Sequence, residues 1–361
     1  MNFNTLFLKS FRVLLLPLAL IYGLVIYIRN RLFDKGTLKS AVFNFPLICI
    51  GNLSVGGTGK SPMVEYLIEL LKPRYKIATL SRGYKRKTKG YVLANAATTA
   101  LEIGDEPMQF HVKFPDISVA SCEERIVGIP HLLQDVPDLQ TIILDDAFQH
   151  RSVKAGLNIL LTDYSNTYPH DFFLPTGDLR DEKQSAKRAQ IIIVTKCPYA
   201  LSQEEKQKII RDLKPAADQY VFFTTIEYGT PYHIFNHGDE WMLTPRDEVL
   251  LVCGIANPAP LKEYLHAKTD TYYQQDYSDH HIFTIDDLNE IRKKFEDIAA
   301  KDKLILTTEK DAVRLIKFTE QLASLPMYVL PIRHYFLFDE ERFFNELVID
   351  FIANFRLNPA L

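Results

Sequence analysis

The first feature in the polar and apolar pattern is a block rather than a period. Val13 to Ile28 reads VLLLPLALIYGLVIYI, without one charge. Lys9 and Arg12 flank it on one side, and Arg29, Arg31 and Lys35 on the other. Roughly 16 residues at about 1.5 Å each reach ~24 Å, short of a ~30 Å hydrocarbon core. Basic residues at both ends oppose a simple span, because positive charge stays cytoplasmic. No small-residue cleavage site follows. The block predicts a helix lying in, or dipping into, the cytoplasmic leaflet. A buried core helix and a single span are the alternatives.

Beyond it the pattern turns to short apolar runs alternating with helical periods. The runs are Leu47 to Ile50, Ile77 to Leu80, Ile117 to Ala120, Thr141 to Leu144, Leu157 to Leu161, Ile191 to Val194 and Tyr220 to Thr224. Near-continuous apolar runs suit strands buried on both faces of a mainly parallel sheet. The segment SPMVEYLIELLK carries apolar residues at 63, 64, 67, 68, 70 and 71, which is helical spacing. Pro62 suits the first turn of that helix. After about Tyr228, the segment TPYHIFNHGDEWMLTP reads as an irregular or hairpin connection. Further runs follow at Val249 to Cys253, Tyr272 to Gln275, Lys303 to Thr307 and Met327 to Leu330, with Thr284 and Asp287 spaced to start a helix between the second and third.

The expected fold is therefore α/β. A mainly parallel sheet has helices on both faces, followed by a smaller C-terminal α/β domain. The expected division is a membrane-associating helix over 1–35, a larger α/β domain over 36–228, a hairpin linker over 229–248 and a smaller domain over 249–361 that closes over the larger domain's site. In such sheets ligands sit beyond the carboxyl ends of the strands, so the loops there are where chemistry is sought.

Composition changes this picture in two respects. Four cysteines show no C-x-x-C or Cys/His spacing, which argues against zinc or disulfides. The net charge of −3 hides an asymmetry, +12 over residues 1 to 100 and −15 over the rest. A basic front end suits an anionic partner. No RNA-type aromatic motif stands out, so a membrane surface or phosphorylated substrate is preferred to nucleic acid.

The stretch GNLSVGGTGKSP, residues 51 to 62, supplies the phosphate chemistry. The pattern G-x-x-x-x-G-K-[ST] wants glycine at position 54, where this chain has Ser54. The rest survives: Gly56, Gly57, Gly59, Lys60 and Ser61 stand between strand and helix, a P-loop NTPase-type arrangement within 36–228, and Ser54, Val55 and Thr58 complete the expected nucleotide-binding loop. Glycines let amide groups turn onto phosphate oxygens, and the helix N-terminus adds positive potential. Lys60 is placed to reach the β- and γ-phosphates, and Ser61 to bind Mg²⁺. The run TIILDDAFQH ends a strand in Asp145 and Asp146, an acidic pair suited to the same metal. A guanine-reading N/T-K-x-D is not completed, because Thr195 and Lys196 are followed by Pro198 where the aspartate belongs. ATP is thus the expected nucleotide.

A kinase also needs a group to orient the acceptor hydroxyl. GDEPMQFH offers Asp105 and Glu106 at a loop-to-helix junction, and SDHH offers His280 or His281 from the second unit. A membrane-bound regulatory ATPase without lipid phosphotransfer is the alternative to a kinase.

The ordered set GNLSVGGTGKSP, SRGYKRK, GDEP, DDAFQHR, LPTGDLRD, VTK, CGIANP, SDHH and TEKDAVR resembles the tetraacyldisaccharide 4′-kinase family of lipid A biosynthesis. The resemblance covers nearly the whole chain after the first helix. It implies ATP- and Mg²⁺-dependent phosphorylation of the 4′-hydroxyl of an acylated glucosamine disaccharide 1-phosphate, at the cytoplasmic face of the bacterial inner membrane. No nucleic acid and no protein partner is implied. It further implies Asp105 as catalytic base, His280 as its partner, Lys60 and Ser61 as phosphate and Mg²⁺ ligands, and Asp145 and Asp146 near the metal. Arg125 is expected near the phosphates. Glu106, Arg82, Gln149 and Arg180 are expected on the substrate side. Arg82, Lys85, Arg86, Lys87 and Lys89 are candidates for lipid phosphates. The chain departs from the family pattern at Asp181, where glutamate is usual, and at Lys85 and Ala147, where glycine is usual.

Overall fold

A computed structural model describes residues 12–355. Nine strands form the larger sheet. From edge to edge they are Ile332–Phe336, Tyr220–Tyr228, Ile191–Thr195, Leu157–Asp163, Leu47–Asn52, Thr141–Leu144, Ile77–Ser81, Ser118–Ser121 and Val92–Leu93. Every pairing is parallel except at the two edges. The inner strands are Ile, Leu and Val on both faces because both faces are covered, each by its own buried apolar cluster. Leu47–Asn52 and Thr141–Leu144 are neighbours in register. The glycine loop and the Asp145–Asp146 pair therefore leave the sheet side by side.

A second sheet of six strands runs Asn236–Glu240, Tyr232–His233, Met327–Leu330, Lys303–Thr308, Glu248–Cys253 and Thr271–Asp276. Its last four strands are parallel and buried between two further apolar clusters. Within 229–248 the expected hairpin forms, and it pairs antiparallel onto the edge of this sheet.

The chain's end departs from the expected division. After Met327–Leu330 the chain runs on through Pro331, and Ile332–Phe336 pairs antiparallel with Tyr220–Tyr228 in the larger sheet. The helix Glu341–Ala353 then buries Phe344, Val348 and Ile352 against that sheet's core. The smaller unit is thus an insertion whose two ends both return to the larger sheet.

Charge as well as packing closes the seam between the units. Helix Glu309–Leu315 of the smaller unit lies on helix Asp105–Lys113 of the larger. Lys113 Nζ sits 2.7 Å from Glu65 and 2.6 Å from Glu309, and Gln109 donates to Glu65 at 2.6 Å. Burial, then the neighbouring Glu309 charge, pushes the Glu65 carboxyl up to about 8. Two carboxylates share one ammonium there, so the seam depends on Lys113.

The helix Leu16–Asp34 lies on the outside of the larger unit. It buries only a narrow stripe, Ala19, Gly23 and Asn30. Gly23 is required by contact, since a Cβ there would meet the Phe173 ring at 2.7 Å. Asn30 donates to Asp181 at 2.8 Å, Tyr22 to the Arg180 carbonyl at 3.1 Å, and Arg29 to the Gln149 carbonyl at 2.8 Å. Leu18, Leu20, Ile21, Leu24, Val25 and Ile28 all face outward. A core helix would bury those side chains, so that alternative fails.

Candidate active site

The glycine loop needs left-handed backbone at Gly56 (φ +101°) and Gly59 (φ +81°). Ser54 is not at positive φ, so the glycine missing from the sequence pattern is not needed here. Instead Ser54 bridges to Leu179, and the Val55 amide donates to the Asp178 carbonyl at 2.8 Å. At Gly56 and Gly57 an added Cβ would meet nothing within 4 Å, so the loop's outer side is open to a ligand. The helix Lys60–Leu71 starts directly after Gly59, and its first amides are free to bind an anion.

Lys60 Nζ lies 3.7 Å from Asp146 Oδ1. Arg180 forms a two-pronged pair with the same carboxylate, and its guanidinium also reaches Asn52 Oδ1 at 2.6 Å. Burial works against ionising Asp146, but Lys60 and then Arg180 outweigh it and hold the carboxyl down at about 2. Asp146 itself sits at φ +45°, a strained setting that short polar residues tolerate and that functional sites often use. Its neighbour Asp145 behaves oppositely. Burial, then the charges of Asp146 and Glu106, raise it to about 6, and Ser81 Oγ donates to it at 3.1 Å.

This pair answers what a magnesium ion requires. Mg²⁺ takes hard oxygen donors, uses one or two carboxylates and keeps its waters. Asp145, Asp146 and the Ser61 hydroxyl are such donors, and the crowding that raises Asp145 is relieved by a cation. The residues present therefore fit the metal.

Asp105 opens its helix behind Gly104, whose φ of +96° no other residue adopts easily. A Cβ on Gly104 would meet the Gly83 backbone at 3.0 Å, so the Arg82–Tyr84 turn packs directly on this junction. Glu106, the residue after Asp105, is among the charges that raise Asp145.

The two motifs most distant in sequence meet here. His280 Nδ1 lies 2.9 Å from Asp105 Oδ2, with both side chains largely buried. Lys310 Nζ stands 3.1 Å from His280 Nε2. Arg314 Nη2 also lies 2.9 Å from His280 Nδ1, so each ring nitrogen faces one cationic donor and one carboxylate. His280 is itself at φ +62°, with Tyr84 edge-on at 5.9 Å. His281 turns away to accompany Asp287 at 3.0 Å.

Arg314 is the residue that sequence reasoning missed. Its guanidinium donates to Asp105 Oδ2 at 2.5 Å, from a side chain only 6% exposed. Burial alone would raise Asp105, but the Arg314 hydrogen bond and charge, with His280 behind them, bring it below its ordinary value. TEKDAVR was visible as a motif, and the Thr308 hydroxyl indeed caps its helix by accepting from the Asp311 amide. Nothing local says that its arginine crosses to residue 105.

Two expectations need correction. Arg125 is fully buried and donates to the carbonyls of Cys122 (2.7 Å) and Asp145 (2.8 Å). It braces the acidic turn from behind instead of presenting its guanidinium at the phosphate loop. Arg86 is tied to Glu123 at 2.7 Å and is not free for lipid phosphates, whereas Arg82, Lys85, Lys87 and Lys89 are exposed. Gln149 donates to the Asn52 carbonyl at 2.6 Å, under the first helix. Asp181, in place of the usual glutamate, is buried and accepts from Asn30, Ser185 (3.0 Å) and Arg188 (3.0 Å). It anchors the outer helix.

Comparison with known proteins gives one consistent answer. The sequence model of the family described as Tetraacyldisaccharide-1-P 4′-kinase matches residues 11–352. The chain is 47% identical to the Tetraacyldisaccharide 4′-kinase of Flavobacterium johnsoniae, over 92% of this chain and 95% of that protein. It is 44% identical to the protein of that name from Bacteroides thetaiotaomicron, covering 96% and 94% of the two chains. Among solved structures, LpxK from Aquifex aeolicus in complex with ATP superimposes with a TM-score of 0.74 at 28% identity, covering 95% of this chain and 99% of that one.

Proposed function

This chain belongs to the tetraacyldisaccharide-1-P 4′-kinase family, whose reaction is ATP-dependent 4′-phosphorylation of the disaccharide lipid in lipid A biosynthesis, and from that premise we propose how its residues divide the work. The Gly56–Ser61 turn and Lys60 grip the triphosphate. Lys60, now beside Asp146, is placed to neutralise charge on the β- and γ-phosphates. Ser61, Asp145 and Asp146 would hold Mg²⁺, which would offset the charge of the phosphates.

Asp105 receives the proton of the 4′-hydroxyl and orients that oxygen toward the γ-phosphorus. Arg314 keeps the carboxylate ionised, and the His280 ring packed against it and Arg314 holds the carboxylate in place. A loose phosphoryl-transfer transition state asks for positioning more than for a strong base, so a depressed carboxylate suffices. Both Arg314 and His280 come from the inserted unit. Its docking on helix Asp105–Lys113 thus completes the acceptor side and limits water as a competing acceptor. Arg180 and Gln149 tie the nucleotide side to the outer helix, and Arg82 and Glu106 flank the acceptor.

The outer helix seats the enzyme on the cytoplasmic face of the inner membrane, its apolar side in the leaflet. The lipid then presents its sugar at the interface without leaving it. The observation that carries the reading is the His280–Asp105–Arg314 cluster assembled from two units. Incubation with γ-labelled ATP and tetraacyldisaccharide 1-phosphate tests it. Label should appear on the 4′ oxygen of the lipid. Label released only as inorganic phosphate would instead favour a regulatory ATPase.

A further inference from the structure

His334 lies outside every motif that marks the site, yet it touches the phosphate loop. It stands in the middle of the edge strand Ile332–Phe336 and is only 4% exposed. Its Nε2 is 2.8 Å from the Gly59 carbonyl, and its Nδ1 is 2.9 Å from Thr224 Oγ1 on the adjacent strand. A carbonyl only accepts, so Nε2 carries the proton and Nδ1 takes the threonine hydroxyl. One tautomer satisfies both partners.

We infer that His334 is a positioning residue for nucleotide binding, one that pins the Gly59 peptide so that the amides following it stay aimed at the triphosphate. The inference rests on the reading of Gly56–Ser61 as the triphosphate site.

The loop is braced from beneath at two successive peptides. Thr195 Oγ1 donates to the Thr58 carbonyl at 2.9 Å, and His334 to the Gly59 carbonyl. The Gly59 oxygen also accepts the Met63 amide, which is the first bond of the helix. Gly59 is the left-handed residue that turns the loop into that helix. A peptide freed there can rotate, and the amides of Lys60 and Ser61 turn with it. Contact is close, since a Cβ on Gly59 would stand 3.1 Å from the imidazole. Burial, then the Lys196 charge, outweigh the Gly59 bond and hold His334 down at about 4. The ring therefore stays neutral near neutral pH and serves as a fixed donor, not a switch. Only Pro331 and two strand residues separate it from the inserted unit, so the strand leaving that unit also carries the loop's brace.

The test uses the full-length enzyme, with ATP and disaccharide lipid varied separately. His334→Phe keeps the ring volume and deletes the donor, and His334→Gln restores an N–H near the same place. Loss of a buried acceptor's partner predicts a KM for ATP about tenfold higher in the Phe variant. The lipid KM should stay within about twofold, and the Gln variant should recover most of the loss. An unchanged ATP KM, an equal rise in both KM values, or no recovery with Gln overturns the inference. Lys60→Ala is the control. If it leaves ATP binding intact, the triphosphate reading itself fails. If it weakens ATP while His334→Phe does not, only the role of His334 fails. Should the Phe variant not fold, Thr224→Val removes the bond that fixes the tautomer. It is expected to raise the ATP KM about threefold, and no change would overturn the inference.

Discussion

Replacing Leu20 and Leu24 together with alanine should detach the enzyme from membranes without touching its fold. The two side chains are 66% and 58% exposed on the outer helix. Each substitution removes three carbon groups, worth about 2.4 kcal/mol if fully buried at ~0.8 kcal/mol apiece. Scaled by the exposed fraction, each loses roughly 1.5 kcal/mol of transfer energy and the pair about 3 kcal/mol. At about 1.4 kcal/mol per decade, vesicle partitioning should fall on the order of 100-fold. Alanine preserves helix propensity, and neither leucine belongs to a core cluster, so the melting temperature should hold. The assay is co-sedimentation with anionic phospholipid vesicles at fixed ionic strength, beside a thermal melt and turnover on detergent-dispersed lipid. Undiminished partitioning would refute the claim that this face seats the protein. A lower melting temperature would show that the face packs on protein instead. Gly23→Leu gives the opposite control, since it drives a side chain into Phe173 and should lower the melting temperature.

Two further outcomes follow from the seam and the site. Lys113→Met leaves the largely buried Glu65 and Glu309 without their shared cation, so thermal stability should fall by about 3 kcal/mol or more; an unaltered melt would show that the seam is not held by this charge. Arg314→Met removes the larger part of what holds Asp105 low and leaves burial opposed only by His280, so the Asp105 pKa rises. Asp105 must be ionised to accept the proton, and the acid limb of kcat/KM therefore moves to higher pH. A pH–rate profile that keeps its acid limb would separate Arg314 from Asp105.

The larger sheet was legible because each inner strand is a short apolar run, and the phosphate loop because its glycines, lysine and serine form one local pattern. The acidic pair was legible for the same reason, since it ends a strand. What resisted reading is what contact at long range decides. Arg314 reaches Asp105 across more than two hundred residues, and its own helix gives no sign of the partner. The strand Ile332–Phe336 follows after a single proline, beyond Leu330 where the apolar run ends. Its polar Arg333 and His334 give it no apolar signature, although it closes the larger sheet. Arg125 misled because a charged side chain is rarely fully buried, and two backbone carbonyls repay its burial here. The narrow buried stripe of the first helix was likewise invisible in a segment that is apolar all round.

The division of labour between Lys60 and Asp105 is tested most directly by measuring ATP affinity and lipid phosphorylation in the same Asp105→Asn preparation. Gripping the triphosphate belongs to the loop and accepting the proton belongs to Asp105, so ATP should bind within about twofold of the unaltered protein while transfer falls by about a hundredfold or more. Transfer that persists, or ATP affinity lost in a folded variant, would contradict it.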